Sequence, residues 1–162
     1  MGDSQGGGSN LRIAIGGDHH GFDYKNMFLR SLAEQGFEVI DAGPYELDPA
    51  DDYPDFAIVV GKAIQEGAAD RGILICGSGV GASIAASKLR GVRAAVCHDI
   101  YSAHQGVEHD DMNVICLGSK IVGTELAREL VDAFLEASFT GEERFVRRLS
   151  KVADLELRPD RE

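Results

Sequence analysis

The sequence has no tryptophan, only three cysteines and four prolines among its 162 residues, and far fewer basic than acidic side chains. Cys76, Cys97 and Cys116 are an odd set without CxxC spacing, which argues against a disulfide framework or a zinc site and is typical of reduced thiols in a cytoplasmic protein. The net charge of −11 argues against general affinity for nucleic acids or anionic membranes, so an anionic ligand would need a local basic cluster. Every apolar run is shorter than the ~18 residues that a membrane-spanning helix requires.

Length and composition predict a single folded domain. The chain is 44% hydrophobic and 27% charged, which excludes wholesale disorder. Residues 1–10 are rich in glycine and lack the basic and apolar regions of a signal peptide, so a flexible N-terminal head is expected there. The folded domain is expected to span residues 11–157, followed by a short tail at 158–162.

Strand-like apolar runs alternate with helical patterns from residue 11 onward. Strands are predicted at 11–16, 37–40, 72–76, 92–97 and 114–117, and helices at 22–36, 55–68, 80–89, 102–107, 124–137 and 142–155. This alternation predicts an α/β fold with a five-stranded parallel sheet, helices on both faces and a C-terminal helical extension. The loops after parallel strands meet at the carboxyl edge of the sheet, where ligands of open α/β sheets bind. Those loops are 16–21, 76–81, 98–100 and 118–120.

The strongest local signal is CGSGVGAS at 76–83, between a predicted strand and a predicted helix. Alternating glycines let backbone N–H groups approach a ligand, and the following helix N-terminus favours an anion or a developing oxyanion. The pattern alone is also compatible with a tight structural turn. Cys76 sharpens the functional interpretation because a thiol beside a helix N-terminus is readily ionised, whereas Cys97 and Cys116 are expected to fill the core.

Three known phosphate-binding and nucleotide-binding loops do not fit this segment. A Walker loop requires Lys and then Ser or Thr after the last glycine, but Ala82 and Ser83 follow Gly81. The cysteine-dependent phosphatase loop requires Arg six positions after its cysteine, where this chain has Ala82. A dinucleotide fingerprint belongs in the first βα turn, but this loop lies in the third unit. The aspartates are scattered without metal-binding spacing, so no metal is expected.

Histidines and one basic helix face are the remaining candidates. Four of the five histidines, His19 and His109 among them, are expected in or near loops at strand ends, where a base working near neutral pH is useful. Each one taken alone is also compatible with a surface role. Arg144 and Arg148 share one face of the last helix, which suits a phosphate clamp as well as exposed ion pairs with neighbouring glutamates.

Together these residues resemble the type B ribose-5-phosphate isomerase family, which includes the galactose-6-phosphate isomerase subunits. The resemblance spans about residues 11–155. It is carried by GDH at 17–19, DYP at 52–54, GILICGSGVG at 72–81, IAASK at 84–88, GVRA at 91–94, YSA at 101–103, EHDDMNV at 108–114 and the Arg144/Arg148 pair. So many blocks in order make the resemblance specific at the level of the family.

The resemblance implies a Rossmann-like three-layer sandwich that interconverts an aldose phosphate and a ketose phosphate through an enediol, without metal or cofactor. By this resemblance Cys76 is the base, as a thiolate, and His109 opens the sugar ring. Asp18 would contact sugar hydroxyls. The developing charge would be held by Gly77, Ser78, Gly79, Val80 and Gly81, and the phosphate by His19, Lys120, Arg144 and Arg148. Members of the family pair as dimers or dimers of dimers, with each site built from two chains.

Three positions help to decide which branch of the family the chain resembles and which sugar phosphate it would use. A second branch uses a glutamate at the place of Ala82, so this chain groups with the cysteine users. Asp110 replaces the usual asparagine among the substrate-binding residues and would repel an anionic intermediate unless it is paired, while Ser78 replaces a common threonine. The leading substrate pair is ribose 5-phosphate and ribulose 5-phosphate. The alternatives are a tetrose or hexose phosphate, or a non-catalytic sugar-phosphate binder.

Overall fold

The computed structural model describes residues 10–158, in which five strands alternate with helices. The strands are β1 (Arg12–Gly17), β2 (Glu38–Asp41), β3 (Arg71–Cys76), β4 (Ala94–Val96) and β5 (Val114–Gly118). The helices are α1 (Phe22–Glu34), α2 (Tyr53–Gln65), α3 (Val80–Ser87), α4 (Ile100–Asp110), α5 (Thr124–Glu136) and α6 (Glu143–Leu157). The predicted head and tail lie outside the described residues except for Asn10 and Arg158, so the domain bounds stay a prediction.

The five strands form one parallel sheet in the order β2-β1-β3-β5-β4. Val114 pairs with both Gly72 and Ala94, so β3, β4 and β5 begin at a common amino edge and end at a common carboxyl edge. Every residue of β5 is buried, as a strand covered on both faces requires. The predicted α/β fold is confirmed.

Two apolar clusters, one on each face of the sheet, make three layers. Successive strand side chains point to opposite faces. Ile73 and Ile75 therefore pack with residues of α1, α4 and α5, whereas Leu74 and Cys76 pack with residues of α2 and α3. Cys76 closes β3 on the α2/α3 face, and the glycine loop leads from it directly into α3.

The predicted bounds of β4 and α4 need correction. β4 starts later than predicted because the backbone N–H of Arg93 donates to the Asn113 side chain at 2.8 Å instead of to a strand. α4 begins earlier because the carboxylate of Asp99 caps it by accepting the backbone N–H of Ser102 at 2.7 Å. The helix then continues until Asp111 adopts a left-handed conformation with φ of 48°.

The C-terminal extension is α6, a helix that buries only Phe145. Leu149 is half-buried, and four other large apolar side chains of this helix are exposed: Val146, Val152, Leu155 and Leu157. At the amino edge the Arg71 guanidinium donates to the carbonyl oxygens of Phe134 and Ala137, which fixes the end of α5 against the start of β3. Among the described helices, none combines the length and the apolar character needed to cross a membrane.

Candidate active site

Cys76 sits where β3 ends, with its sulfur turned toward the glycine loop. The backbone N–H of Gly79 donates to the Cys76 sulfur at 3.1 Å. Gly79 has a left-handed φ of 82°, and a Cβ there would come within 3.1 Å of the Leu117 backbone, so glycine is required on both counts. Cys76 is 5% exposed. An N–H aimed at a sulfur beside the N-terminus of α3 is an arrangement that stabilises negative charge on that atom.

The other two cysteines are core residues, as predicted. Cys97 is 4% exposed and Cys116 is fully buried. Burial raises the pKa of the Cys97 thiol to about 11, with a smaller contribution from the nearby Asp99. Burial also raises the pKa of the Cys116 thiol well above its usual range. Neither thiol is suited to act as a base near neutral pH.

The glycine loop is held by the loop after β5. Ser119 N–H donates to the carbonyl of Cys76 at 2.8 Å, and Lys120 N–H donates to that of Gly77 at 3.1 Å. At Gly118 a Cβ would meet the Ser78 backbone at 2.8 Å, so the two loops are in close contact. This contact brings Lys120 beside the glycine loop, as the sequence predicts for strand-end loops.

The start of α3 packs against an aromatic ring from α2. A Cβ on Gly81 would lie 2.6 Å from the Tyr53 ring, so a larger residue there would require the ring to move. Ser78 holds the turn before it, because its hydroxyl accepts the backbone N–H of Val80 at 3.3 Å. Val80 itself is half exposed, which leaves this end of the loop open to a ligand or to another chain.

Asp18 lies in the turn after β1 and is 6% exposed. Its Oδ1 accepts backbone N–H groups from His20 at 2.9 Å and from Gly21 at 3.3 Å. The backbone N–H of Asp18 donates to the carbonyl of Ile75, one residue before Cys76 along β3. Asp18 and Cys76 therefore end neighbouring strands at one edge, as predicted.

His19 points its ring at a carboxylate that sequence reasoning treated as a scattered acid. Nδ1 of His19 lies 2.6 Å from Oδ1 of Asp51, in the loop before α2. Potential ligand atoms of Asp18, His19 and Asp51 lie within 4.8 Å of one another. Hydrogen bonds already engage His19 Nδ1 and one oxygen of each carboxylate, and we assign these groups to hydrogen bonding.

The candidate site residues that follow β1, β3 and β5 lie at the carboxyl edge of the sheet, and we call them the carboxyl-edge cluster. Its members are Asp18, His19, Lys120 and the loop residues Cys76, Gly77, Ser78, Gly79, Val80 and Gly81. His20 adjoins it, since a Cβ on Gly77 would lie 3.5 Å from the His20 ring and 3.8 Å from the Lys120 side chain.

The remaining predicted site residues form a second group, the amino-edge cluster: His109, Asp110, Arg144 and Arg148. The His109 ring stacks on Phe145 with centroids 4.0 Å apart. The guanidinium carbons of Arg144 and Arg148 lie 4.5 Å and 5.8 Å from the centre of that same ring. The shared helix face predicted for the two arginines is confirmed.

The position of His109 corrects the sequence-based expectation. It lies in the last turn of α4, just before the start of β5, and not in a loop at a strand end. At 1.5 Å per residue it is roughly 14 Å along the helix from Ile100, which follows the carboxyl end of β4. Within one chain, the structure therefore separates His109 from the edge that carries Cys76.

A groove of about 660 Å³ runs between β4, α4 and α6 beside the amino-edge cluster. Asp110 and Arg148 line it together with Val152 and Leu155, and Cys76 is not part of it. The groove and the carboxyl-edge cluster are separate features of one chain.

The family model described as Ribose/Galactose Isomerase matches residues 13–152. The chain belongs to the ribose/galactose isomerase family. Ribose-5-phosphate isomerase B of Escherichia coli (strain K12) is 48% identical to this family member over 130 residues, 80% of this chain and 87% of that protein. D-erythrulose-4-phosphate isomerase of Pectobacterium atrosepticum is 43% identical over 134 residues, 81% of this chain and 86% of that protein.

A solved structure of the family carries a ligand. Ribose-5-phosphate isomerase B from Mycoplasma genitalium, with bound ribulose-5-phosphate, superposes with a TM-score of 0.87 at 40% identity and covers 91% of this chain and 97% of that one. The Rossmann-like sandwich and the aldose–ketose isomerase class implied by the resemblance are confirmed. This family member is therefore a sugar-phosphate isomerase.

Sequence reasoning missed three contacts around the site of this isomerase. Asp51 binds His19, Tyr53 covers Gly81, and Gln105 lies 2.7 Å from Nδ1 of His109. Only the last pair carries a local signal, the i, i+4 spacing on α4. The contact of Asp51 with His19 joins two loops and that of Tyr53 with Gly81 joins two helices, and no local pattern reveals either.

Proposed function

We propose that this isomerase interconverts ribose 5-phosphate and ribulose 5-phosphate, with the Cys76 thiolate as the base. The observation that carries the proposal is the 3.1 Å hydrogen bond from the Gly79 N–H to the Cys76 sulfur, at the N-terminus of α3. The relative from Escherichia coli named for this activity and the ribulose-5-phosphate complex of the Mycoplasma genitalium structure support the choice of sugar.

In the direction from aldose to ketose, the Cys76 sulfur takes the proton from C2 of the open-chain sugar. The electron pair forms the C1–C2 double bond of the enediolate, and negative charge appears on O1. The Gly79 amide binds the sulfur, so the Ser78 hydroxyl and the other amides of the glycine loop would stabilise that oxygen. O1 gains a proton, O2 loses its hydrogen, and the proton on sulfur returns to C1, which regenerates the thiolate.

Ring opening comes before this step, because the sugar enters mainly as a closed ring. We assign it to His109, whose Nδ1 accepts a hydrogen bond from the Gln105 side-chain amide at 2.7 Å. The neutral ring then carries its hydrogen on Nε2, where it can be donated to the ring oxygen. Asp18 contacts sugar hydroxyls, and His19, Lys120, Arg144 and Arg148 hold the phosphate.

We further propose that the complete site joins the carboxyl-edge cluster of one chain to the amino-edge cluster of a second copy. One chain keeps the two clusters apart along α4. Exposed apolar side chains near the carboxyl edge support a contact with a partner: Val80, Ile84 and Tyr101, which are 51%, 57% and 74% exposed. A homodimer or a dimer of dimers would bury them.

A mixing experiment tests the shared site. Cys76→Ala and His109→Asn are each expected to abolish turnover. In a dimer of one Cys76→Ala chain and one His109→Asn chain, one of the two shared sites carries both substitutions and the other carries neither. Random mixing by co-expression should then restore about a quarter of the original activity. Recovery no greater than that of the separate variants would place each site within one chain.

A tetrose phosphate is the second candidate substrate. Asp110 is the observation that favours it, since its carboxylate lines the groove beside Arg148 and changes the polar contacts available to the far end of a sugar. The 43% identical relative from Pectobacterium atrosepticum is named a D-erythrulose-4-phosphate isomerase. The turnover screen described next also tests a hexose phosphate as the substrate, and binding without catalysis.

The deciding experiment is a turnover screen over four-, five- and six-carbon aldose and ketose phosphates, with Cys76→Ala as the blank. Preference for ribose 5-phosphate would support the leading assignment, and preference for a tetrose phosphate would replace it. Binding of all three without turnover would leave a non-catalytic binder and overturn the proposal.

A further inference from the structure

Asp51 contacts His19 twice through one oxygen. Oδ1 of Asp51 accepts the backbone N–H of His19 at 3.0 Å and lies 2.6 Å from Nδ1 of its ring. The two residues are 32 positions apart. One carboxylate thus ties the loop between β2 and α2 to the turn after β1, at the carboxyl edge of the sheet.

The carboxylate is buried in a loop that is otherwise exposed. The Asp51 side chain is 9% exposed, whereas residues 45–50 and Asp52 are all exposed. Its second oxygen, Oδ2, is buried and has no hydrogen-bond partner among the described residues. Burial of a carboxylate is costly unless it is hydrogen-bonded or paired with a cation. The contact with His19 is therefore the interaction that offsets the burial of Asp51.

This contact determines which ring nitrogen carries the hydrogen. An ionised carboxylate only accepts hydrogen bonds, so Nδ1 of His19 has to be the donor. In a neutral ring, Nε2 is then left without a hydrogen and presents a lone pair. Only the imidazolium has an N–H on both nitrogens. A phosphate oxygen binds an imidazolium N–H strongly and is repelled by a lone pair.

We propose that Asp51 is a positioning residue that restricts His19 to binding phosphate in its protonated form. The proposal rests on the proposed function, in which His19 holds the substrate phosphate. Without Asp51, a neutral His19 ring is free to carry its hydrogen on Nε2 and can still donate to phosphate. Asp51 thereby links substrate binding to a proton on His19.

Other charged or titratable groups lie close to this ring. The His20 ring has its centroid 4.1 Å from that of His19, tilted by 43°. One carboxylate oxygen of Asp18 lies within 4.8 Å of a ring nitrogen of His19 and of a carboxylate oxygen of Asp51. Lys120 lies beyond His20, beside Gly77. The contribution of His20 has to be removed experimentally, and His20→Gln does so.

The first test observes the ring hydrogen directly, by long-range proton–nitrogen NMR correlation on the full-length, ligand-free protein, with His19 assigned from a His19→Gln sample. At alkaline pH the unsubstituted protein should show hydrogen on Nδ1. Asp51→Ala should shift it toward Nε2. Asp51→Asn should retain the Nδ1 form, because the side-chain oxygen of asparagine still accepts a hydrogen bond. An Nε2–H ring in the unsubstituted protein would overturn the proposal.

The second test uses sulfate as a competitive inhibitor, because its charge stays constant between about pH 6 and about pH 8.5, where histidine titrates. In a His20→Gln background the inhibition constant should rise with pH, and Asp51→Ala should make that rise shallower. His19→Gln should remove the contribution of His19 to the inhibition constant, so that the constant rises less with pH than it does in the His20→Gln protein alone. Equal pH profiles with and without Asp51 would contradict the link between Asp51 and the proton.

Substrate kinetics separate positioning from a merely structural role. Asp51→Ala should raise KM for the sugar phosphate roughly tenfold near neutral pH while kcat changes little, since a misplaced ligand of the phosphate weakens binding of substrate and transition state alike. Glu46→Ala is the matched control, an exposed acidic residue of the same loop, and should change neither constant. A fall in kcat at constant KM would count against the proposal.

The tests also distinguish this inference from the proposed function. If ribose 5-phosphate is not turned over but the Nδ1–H form and the sulfate profile are found, the inference stands and the substrate assignment fails. If turnover is found with an Nε2–H ring, the function stands and the role of Asp51 fails.

Discussion

The side-chain amide of Gln105 donates a hydrogen bond to Nδ1 of His109 at 2.7 Å, from one turn earlier on α4. Since an amide N–H can only donate, this bond keeps Nδ1 free of hydrogen in the neutral ring. The Phe145 ring stacks on the His109 ring, with centroids 4.0 Å apart. These two contacts fix both the orientation and the tautomer of the His109 ring.

Replacing Gln105 with Leu should lower kcat/KM for a cyclic substrate about three- to tenfold, the typical effect of losing one hydrogen bond. An open-chain analogue should be affected less, because it does not need ring opening. Gln105→Glu should be more harmful, since a carboxylate pulls the hydrogen onto Nδ1. His104→Leu is the control, because His104 is a half-exposed side chain of the same helix that pairs with Glu108. Equal losses for both substrates would argue against ring opening by His109.

Cys76→Ala should reduce kcat by about a hundredfold to ten-thousandfold, the range for loss of a general base. KM should stay within a few-fold, because the phosphate ligands are untouched. Steady-state kinetics on both sugar directions measure the two constants. In the unsubstituted enzyme, turnover should fall as the pH drops, since a protonated thiol cannot take a proton. Persistent turnover in Cys76→Ala would remove the thiolate from the mechanism.

The three thiols should differ sharply in reactivity toward iodoacetamide. Burial raises the pKa of Cys97 to about 11 and that of Cys116 well above its usual range, so both thiols are protonated in the folded protein near neutral pH. Peptide mass spectrometry of briefly alkylated native protein should locate the label at Cys76, and sulfate should slow the labelling. Labelling of Cys97 before Cys76 would contradict this order.

Gly81→Ala should destabilise the fold by about 1–3 kcal/mol, the usual cost of overpacking, because its methyl group would lie 2.6 Å from the Tyr53 ring. Adding Tyr53→Ala to it should recover part of that loss, as contacting residues couple. Gly123→Ala is the control, because a Cβ there meets nothing within 4 Å. It should cost less than about 1 kcal/mol, from the weaker helix N-cap. Urea unfolding monitored by circular dichroism measures all three.

The sheet and the glycine loop were predictable because their signals are local. Apolar runs such as GILIC mark a buried strand, and the glycines at 77, 79 and 81 mark the turn into α3. Cys97 and Cys116 were predictable as core residues for the same reason. The separation of His109 from Cys76 was not, because it depends on how far α4 extends beyond its Asp99 cap.

The pairings that shape the candidate site were also beyond sequence reasoning. The contact between His19 and Asp51 joins two loops that only the parallel pairing of β1 with β2 brings together. Tyr53 reaches Gly81 because α2 and α3 lie on the same face of the sheet. In a chain with many acidic residues, nothing in the local sequence indicates that Asp51 contacts His19.

The interlocked loops after β3 and β5 have one more consequence. Ser119 and Lys120 bind the carbonyl groups of Cys76 and Gly77, which holds the cysteine-bearing turn in place without any help from a ligand. If the sugar phosphate binds here as proposed, this turn loses little conformational entropy on binding, and its backbone should be the same in the empty and occupied forms. In the proposed mechanism, rate enhancement at this turn would draw on preorganisation that was established during folding.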